Sequence, residues 1–162
     1  MNNPQTICDR YEVAMRIYAE GCAAETAEWH RPDVAEFSEL FRLLKPYAEM
    51  GDMRCQYTVA TILMLGLCCE SEEQMAATQV EACEEASQWW IALAKQGFTP
   101  ALDNLVTSGV GAEAERARKA WRQLDRERRD LVKSSRGMPV YGPEFVEELS
   151  RRLYGRVIVD AI

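Results

Sequence analysis

The sequence predicts an all-α fold, a short α–α superhelical solenoid in one domain. Three observations lead there. Apolar residues recur at three- and four-residue spacing along most of the chain. Helix-starting and helix-stopping residues punctuate that pattern at regular places. A stretch of the chain also resembles another stretch 46 residues later. Self-similarity at such a period points to stacked helical hairpins.

From Thr6 to about Ala27, residues Ile7, Tyr11, Ala14, Met15, Tyr18 and Cys22 form a helical stripe. His30-Arg31-Pro32 breaks it, since proline removes a backbone donor. Asp33-x-x-Glu36 reads as a capping box for the next helix, whose apolar face carries Val34, Phe37, Leu40, Phe41, Leu43, Leu44, Tyr47 and Ala48. Pro46 should kink that helix or shift its hydrogen bonding, and Gly51 should end it. Asp52 is the N-cap of a third helix running to Gly66, with Cys55, Tyr57, Val59, Ala60, Ile62, Leu63 and Leu65. Ser71-x-x-Gln74 is a second capping box. It opens a helix through Met75, Val80, Cys83, Ala86, Trp89, Trp90 and Leu93 that Gly97 stops. Thr99-Pro100 reads as N-cap followed by proline at the first helical position. A long amphipathic helix runs from Ala114 to about Lys133, then a loop from Ser134 to Gly142, then a last helix from Pro143 to Gly155. The tail Val157-Ile158-Val159 is β-branched and should dock as an extended segment, with addition to a partner's sheet edge as the alternative.

The repeat pairs Leu43–Ala60 with Trp89–Val106. Leu43 matches Trp89, Leu44 matches Trp90, Ala48 matches Ala94, Gly51 matches Gly97, Cys55 matches Ala101 and Val59 matches Leu105. Each unit is helix, glycine turn, helix. The glycine permits a left-handed turn between antiparallel helices. The small residue four places on lets the second helix pack closely.

Tyr47-Ala-Glu-Met-Gly51-Asp-Met-Arg-Cys-Gln56-Tyr57 resembles the Sel1-like repeat, a relative of the tetratricopeptide repeat. Ala94-Lys-Gln-Gly97-Phe-Thr-Pro-Ala101 is similar, and Glu85-Ala-Ser-Gln-Trp89-Trp90-Ile-Ala-Leu-Ala94 resembles the family's E-A-x-x-W segment. The resemblance covers residues 36 to 110. It departs at Cys55, where alanine is usual, and at Ala60, where glycine is usual. Residues 67 to 83 lengthen the usual loop, and the second unit lacks the Gln-Tyr pair. It implies two to three degenerate helix pairs, with Ala48, Gly51, Cys55, Tyr57, Trp89, Trp90, Ala94, Gly97 and Ala101 as repeat-structural residues. Residues 31–111 would form the repeat core. Residues 1–30 and 112–162 would be helical caps on its apolar ends. It also implies a non-catalytic adaptor that binds proteins or peptides in a groove.

Composition bounds the function. The chain has 162 residues, 19 Lys+Arg and 26 Asp+Glu, with a net charge of −7. At 48% hydrophobic and 28% charged it has globular composition, not that of a disordered chain. No apolar run approaches the ~20 residues a membrane span needs. Met1-Asn2-Asn3-Pro4 shows no signal-peptide pattern, so a cytoplasmic setting with reduced thiols is expected. Cys8, Cys22, Cys55, Cys68, Cys69 and Cys83 mostly fall on apolar faces, where cysteine behaves as a small hydrophobe. Their spacing and a single histidine give no metal pattern, and no cofactor is expected.

Residues 1–111 hold 7 basic and 17 acidic side chains, whereas residues 112–162 hold 12 basic and 9 acidic. The acidic part should repel nucleic acid, and the basic stretch from Arg116 to Lys133 is interleaved with acids. Partner proteins are therefore expected instead. A bacterial immunity protein that neutralises a basic toxin is an alternative, since complementary fields raise association rates. Catalysis would need Cys22 with His30, or paired carboxylates among Glu70, Glu72, Glu73, Glu81, Glu84 and Glu85. No orienting third group accompanies either, so a carboxylate-dependent enzyme is the remote reading. The partner-binding candidates are Trp29, Arg54, Glu70, Glu72, Glu73 and Glu81, with Arg122, Arg126 and Arg129 as a separate basic stripe.

Overall fold

Local signals place the helices. The computed structural model describes residues 3–23, 32–135, 137 and 141–158. Its elements are α1 (Pro4–Ala23), α2 (Val34–Glu49), α3 (Met53–Met64), α4 (Glu72–Lys95), α5 (Thr99–Ser108), α6 (Ala112–Ser135) and α7 (Pro143–Tyr154). The chain divides into two units, Met1–Ala86 and Ser87–Ile162. The division falls inside the 31–111 stretch, with α4 contributing residues 72–86 to the first unit and 87–95 to the second. It also divides the charge. Residues 1–86 carry 6 basic and 16 acidic side chains, and residues 87–162 carry 13 basic and 10 acidic.

In the first unit α2 packs on α3, and α1 lies against both. The core joins Ile7, Cys8 and Tyr11 with Phe37, Leu40, Leu44 and Ala48, and with Cys55, Val59 and Ile62. Tyr11 meets Phe37 edge-on at 6.2 Å between ring centroids. Arg10 ties α1 to α2 through Glu36 at 2.5 Å and Glu39 at 2.7 Å. Asp33 caps α2 by accepting from the Glu36 N–H at 3.1 Å. The Glu36 side chain goes to Arg10, so only half of the expected capping box forms. The Ser71 hydroxyl accepts from the Gln74 N–H at 3.1 Å, and the Gln74 side-chain Oε1 accepts from the Glu70 N–H at 2.6 Å. The α2 helix carries on through Pro46 to Glu49.

In the second unit α5 packs against α6 and α7 around Trp90, Leu93, Phe98, Leu102, Leu105, Leu124, Phe145 and Leu149. Trp121 stands edge-on to Phe145 at 4.6 Å. Arg118 reaches into the end of α5, donating to the carbonyls of Val106 at 2.9 Å and of Gly109. The tail docks as expected as far as it is described. Ile158 donates to the Gly97 carbonyl at 2.8 Å and forms a parallel bridge with Phe98. Val159 lies outside the described residues.

The glycine turns at Gly51 and Gly97 share one local geometry. Gly51 and Gly97 sit at φ 97° and 94°. Gly51 N–H donates to Ala48 at 3.0 Å and Gly97 N–H to Ala94 at 2.9 Å. The next residues, Asp52 and Phe98, reach back to Tyr47 at 3.0 Å and Leu93 at 3.1 Å. Both ends are Schellman motifs, in which a left-handed glycine satisfies carbonyls left open at a helix end. Ala48, Cys55 and Val59 are fully buried, as are Ala94, Ala101 and Leu105. Buried Gln56 donates back to the Ala48 carbonyl at 3.0 Å. Leu102 takes its place in the second hairpin and packs instead.

Some expectations change. Thr99 is not the N-cap of α5. The cap position is Phe98, buried and with no side-chain cap bond, and Thr99 is the first helical residue. The helix expected after Ser71 forms, as α4 from Glu72, so the stretch 67–83 that lengthens the usual repeat loop is mostly helical. Tyr57 is half-buried, whereas Trp90 is core. Among the cysteines only Cys8 and Cys55 are buried, with sulfurs 3.9 Å apart, while Cys22 is exposed.

The two glycines differ in surroundings. A Cβ at Gly51 meets nothing within 4 Å, whereas one at Gly97 lies 2.9 Å from the Arg156 carbonyl carbon. Gly51→Ala should therefore cost only the left-handed backbone penalty, about 1–2 kcal/mol. Gly97→Ala should cost distinctly more and loosen the tail. Urea midpoints of the two variants check this, and equal losses would contradict it. Timed alkylation with peptide mapping should label Cys22 first. Cys68 should lag because burial pushes its thiol up, and Cys8 and Cys55 should react only on unfolding. Native labelling of Cys8 at the rate of Cys22 would contradict it.

Candidate interaction surfaces

Trp29 and His30 lie outside the described residues. Arg54 is turned inward. Its side chain is only 12% exposed and pairs with Asp9 at 3.0 Å and Glu12 at 2.5 Å, joining α3 to α1. It is a packing cation of the first unit, which its neighbours in sequence do not reveal.

The acidic candidates gather along α4 and the segment before it. Glu70 and Glu72 line a small cavity of about 30 Å³ with Tyr18 and Met75. Glu81 lines a larger groove, about 290 Å³, between the end of α3 and α4. Ile62, Leu63 and Ala82 give that groove apolar walls, Glu81 and Glu85 give it carboxylates, and Gln74 and Thr78 add polar groups. Gln79 fixes α4 there by donating to the Met64 carbonyl at 3.3 Å. Of the six carboxylates at 70, 72, 73, 81, 84 and 85, only Glu85 has a cation among the described residues, Lys45 at 3.4 Å. Glu73 is exposed outside both cavities. Sequence reasoning missed the apolar walls of the groove, since they come from α3 and depend on how α4 folds back on it.

The basic stripe is re-sorted. Arg122 and Arg126 share an open groove of about 660 Å³ with Arg116, Lys119, Gln123, Ala120 and Leu153. Arg129 does not line it and pairs with Asp125, which also accepts from the Tyr141 hydroxyl at 2.5 Å. Arg116 and Lys119 escaped the sequence reading although they continue the stripe at three-residue steps toward the start of α6.

Among the described residues no group of three or more His, Cys, Asp or Glu is placed to hold a metal ion. No described helix is long and apolar enough to cross a membrane.

Arg54→Ala removes both ion pairs from α1. It should lower stability by roughly 1–2 kcal/mol, read as a shift of the urea midpoint, and leave capture of a protein partner unchanged. Loss of capture in a folded variant would return Arg54 to the binding surface.

No protein-family model matches the chain, and no curated protein and no solved structure shows significant similarity to it.

Proposed function

We propose that this chain is a non-catalytic protein-binding module built on two Sel1-like helical hairpins. Its acidic groove between α3 and α4 receives a basic segment of a partner protein. One observation carries the reading: an apolar-walled groove bordered by Glu81, which has no cation within ion-pair reach among the described residues, and by Glu85, whose pair with Lys45 is long at 3.4 Å. Apolar walls supply binding energy once water leaves them, and unneutralised charge supplies steering and partner choice. The two glycine-turned hairpins and their likeness to the Sel1-like motif support the adaptor role, with a cytoplasmic setting for the reduced thiols.

A second reading is favoured by the charge of residues 1–86, 6 basic against 16 acidic side chains. On it the partner is a single basic toxin, and the protein is its bacterial immunity factor. The two readings share the surface and differ in how many partners use it.

Glu81→Lys with Glu84→Lys reverses charge on exposed positions of α4. In surface-binding kinetics with the partner that co-purifies from source lysate, the double variant should associate roughly tenfold more slowly. High salt should slow the wild type in the same direction. An unchanged association rate would overturn the acidic groove. One stoichiometric basic partner, toxic when made alone, would select the immunity reading, whereas several partners would select the adaptor.

A further inference from the structure

We infer that the α6 face carrying Arg116, Lys119, Arg122 and Arg126 is a second docking site, built for an acidic amphipathic helical segment of a partner protein. It uses a different surface from the α3–α4 groove, so either site can fail without the other.

The first support is the way α6 treats its cations. Elsewhere on this helix they are neutralised or used inward. Arg118 pairs with Glu115 at 2.8 Å and caps α5, Arg129 pairs with Asp125, and Lys133 pairs with Asp130 at 3.3 Å. Along the groove the pattern changes. Lys119 and Arg126 have no acid within ion-pair reach among the described residues, and Arg122 has only a 3.5 Å approach to Glu115 while 65% exposed. Arg116 pairs with Glu113 at 2.9 Å yet stays half exposed. Successive cations stand three, three and four positions apart. Like charges at that spacing repel. The helix therefore holds a repulsive row that an incoming anionic surface would relieve.

The second support is shape. The four cations span eleven residues, about 15 Å of helix axis. Between them lie Ala120 and, from the end of α7, Leu153, in a groove of about 660 Å³. Cations flanking an apolar strip match a helix that sets carboxylates three and four residues apart around a leucine. A nucleic-acid backbone would leave Leu153 without an apolar counterpart. It would also meet a chain of net charge −7, with Glu113 and Glu115 close to the row.

The test uses the full chain and fluorescence anisotropy. The probe is a labelled 14-residue helix-forming peptide, with Glu at three- and four-residue spacing and one central Leu. A second peptide replaces that Leu with Glu, and a single-stranded oligothymidylate of similar length is the third probe. The first peptide should bind best. Lys119→Glu with Arg126→Glu should weaken it roughly tenfold or more, with the circular-dichroism melting curve unchanged. Glu81→Lys with Glu84→Lys should not weaken it. Equal binding by wild type and the Lys119/Arg126 variant would overturn the site. Preference for the oligothymidylate, lost on the same reversal, would overturn it in favour of a polyanion site. Self-association by sedimentation, lost on that reversal, would make a second copy the occupant and overturn the foreign partner.

Discussion

The glycine-turned reversal between antiparallel helices is the constraint on which the rest depends. Gly51 and Gly97 each close a helix in the left-handed region and hand the chain to the next helix within two or three residues. So short a connection leaves little freedom in how the partners cross. The residues on either side of each turn are small, Ala48 and Cys55 in one and Ala94 and Ala101 in the other, and all are fully buried. Larger residues next to them, Leu44 and Trp90, fill the remaining space.

Much of this was legible because its causes are local. A glycine at a stop, an aspartate or serine at a start, and apolar residues at helical spacing act over three or four positions. Residues whose role is set by a distant partner were not legible. Phe98, to which the sequence assigns no role, is buried and bridged to Ile158 of the distant tail. Arg54 looked like a surface cation, but Asp9 and Glu12, more than forty residues earlier, draw it inward. Arg129 seemed to extend the Arg122–Arg126 stripe until Asp125 and Tyr141 diverted it. For the candidate grooves, the charged residues were visible in sequence. The apolar walls were not, since Ile62, Leu63 and Leu153 reach them from other helices.

Charge follows the division of the chain into two units. In the first unit three cations are held in ion pairs within the unit. Arg10 and Arg54 each join α1 to a neighbour, and Lys45 meets Glu85. That leaves the carboxylates of α4 to set the field outside. In the second unit most acids are consumed by nearby arginines, as Glu127 and Glu148 are by Arg152, and the excess is basic. Opposite excesses on two separately packed units give one small chain two kinds of surface, each with its own choice of partner and its own response to salt.

The docked tail has a consequence for the order in which the molecule is made. The first hairpin draws its turn, its caps and its buried residues from a continuous stretch ending near Leu67. It can close while synthesis is still under way. The second hairpin cannot finish in the same way. Its turn carbonyl at Gly97 waits for Ile158, more than sixty residues later. The emerging chain thus carries one completed hairpin and one that stays open until α6 and α7 have been made. Over that interval Phe98 and the apolar side chains of α5 are the part of the molecule most in need of protection from aggregation.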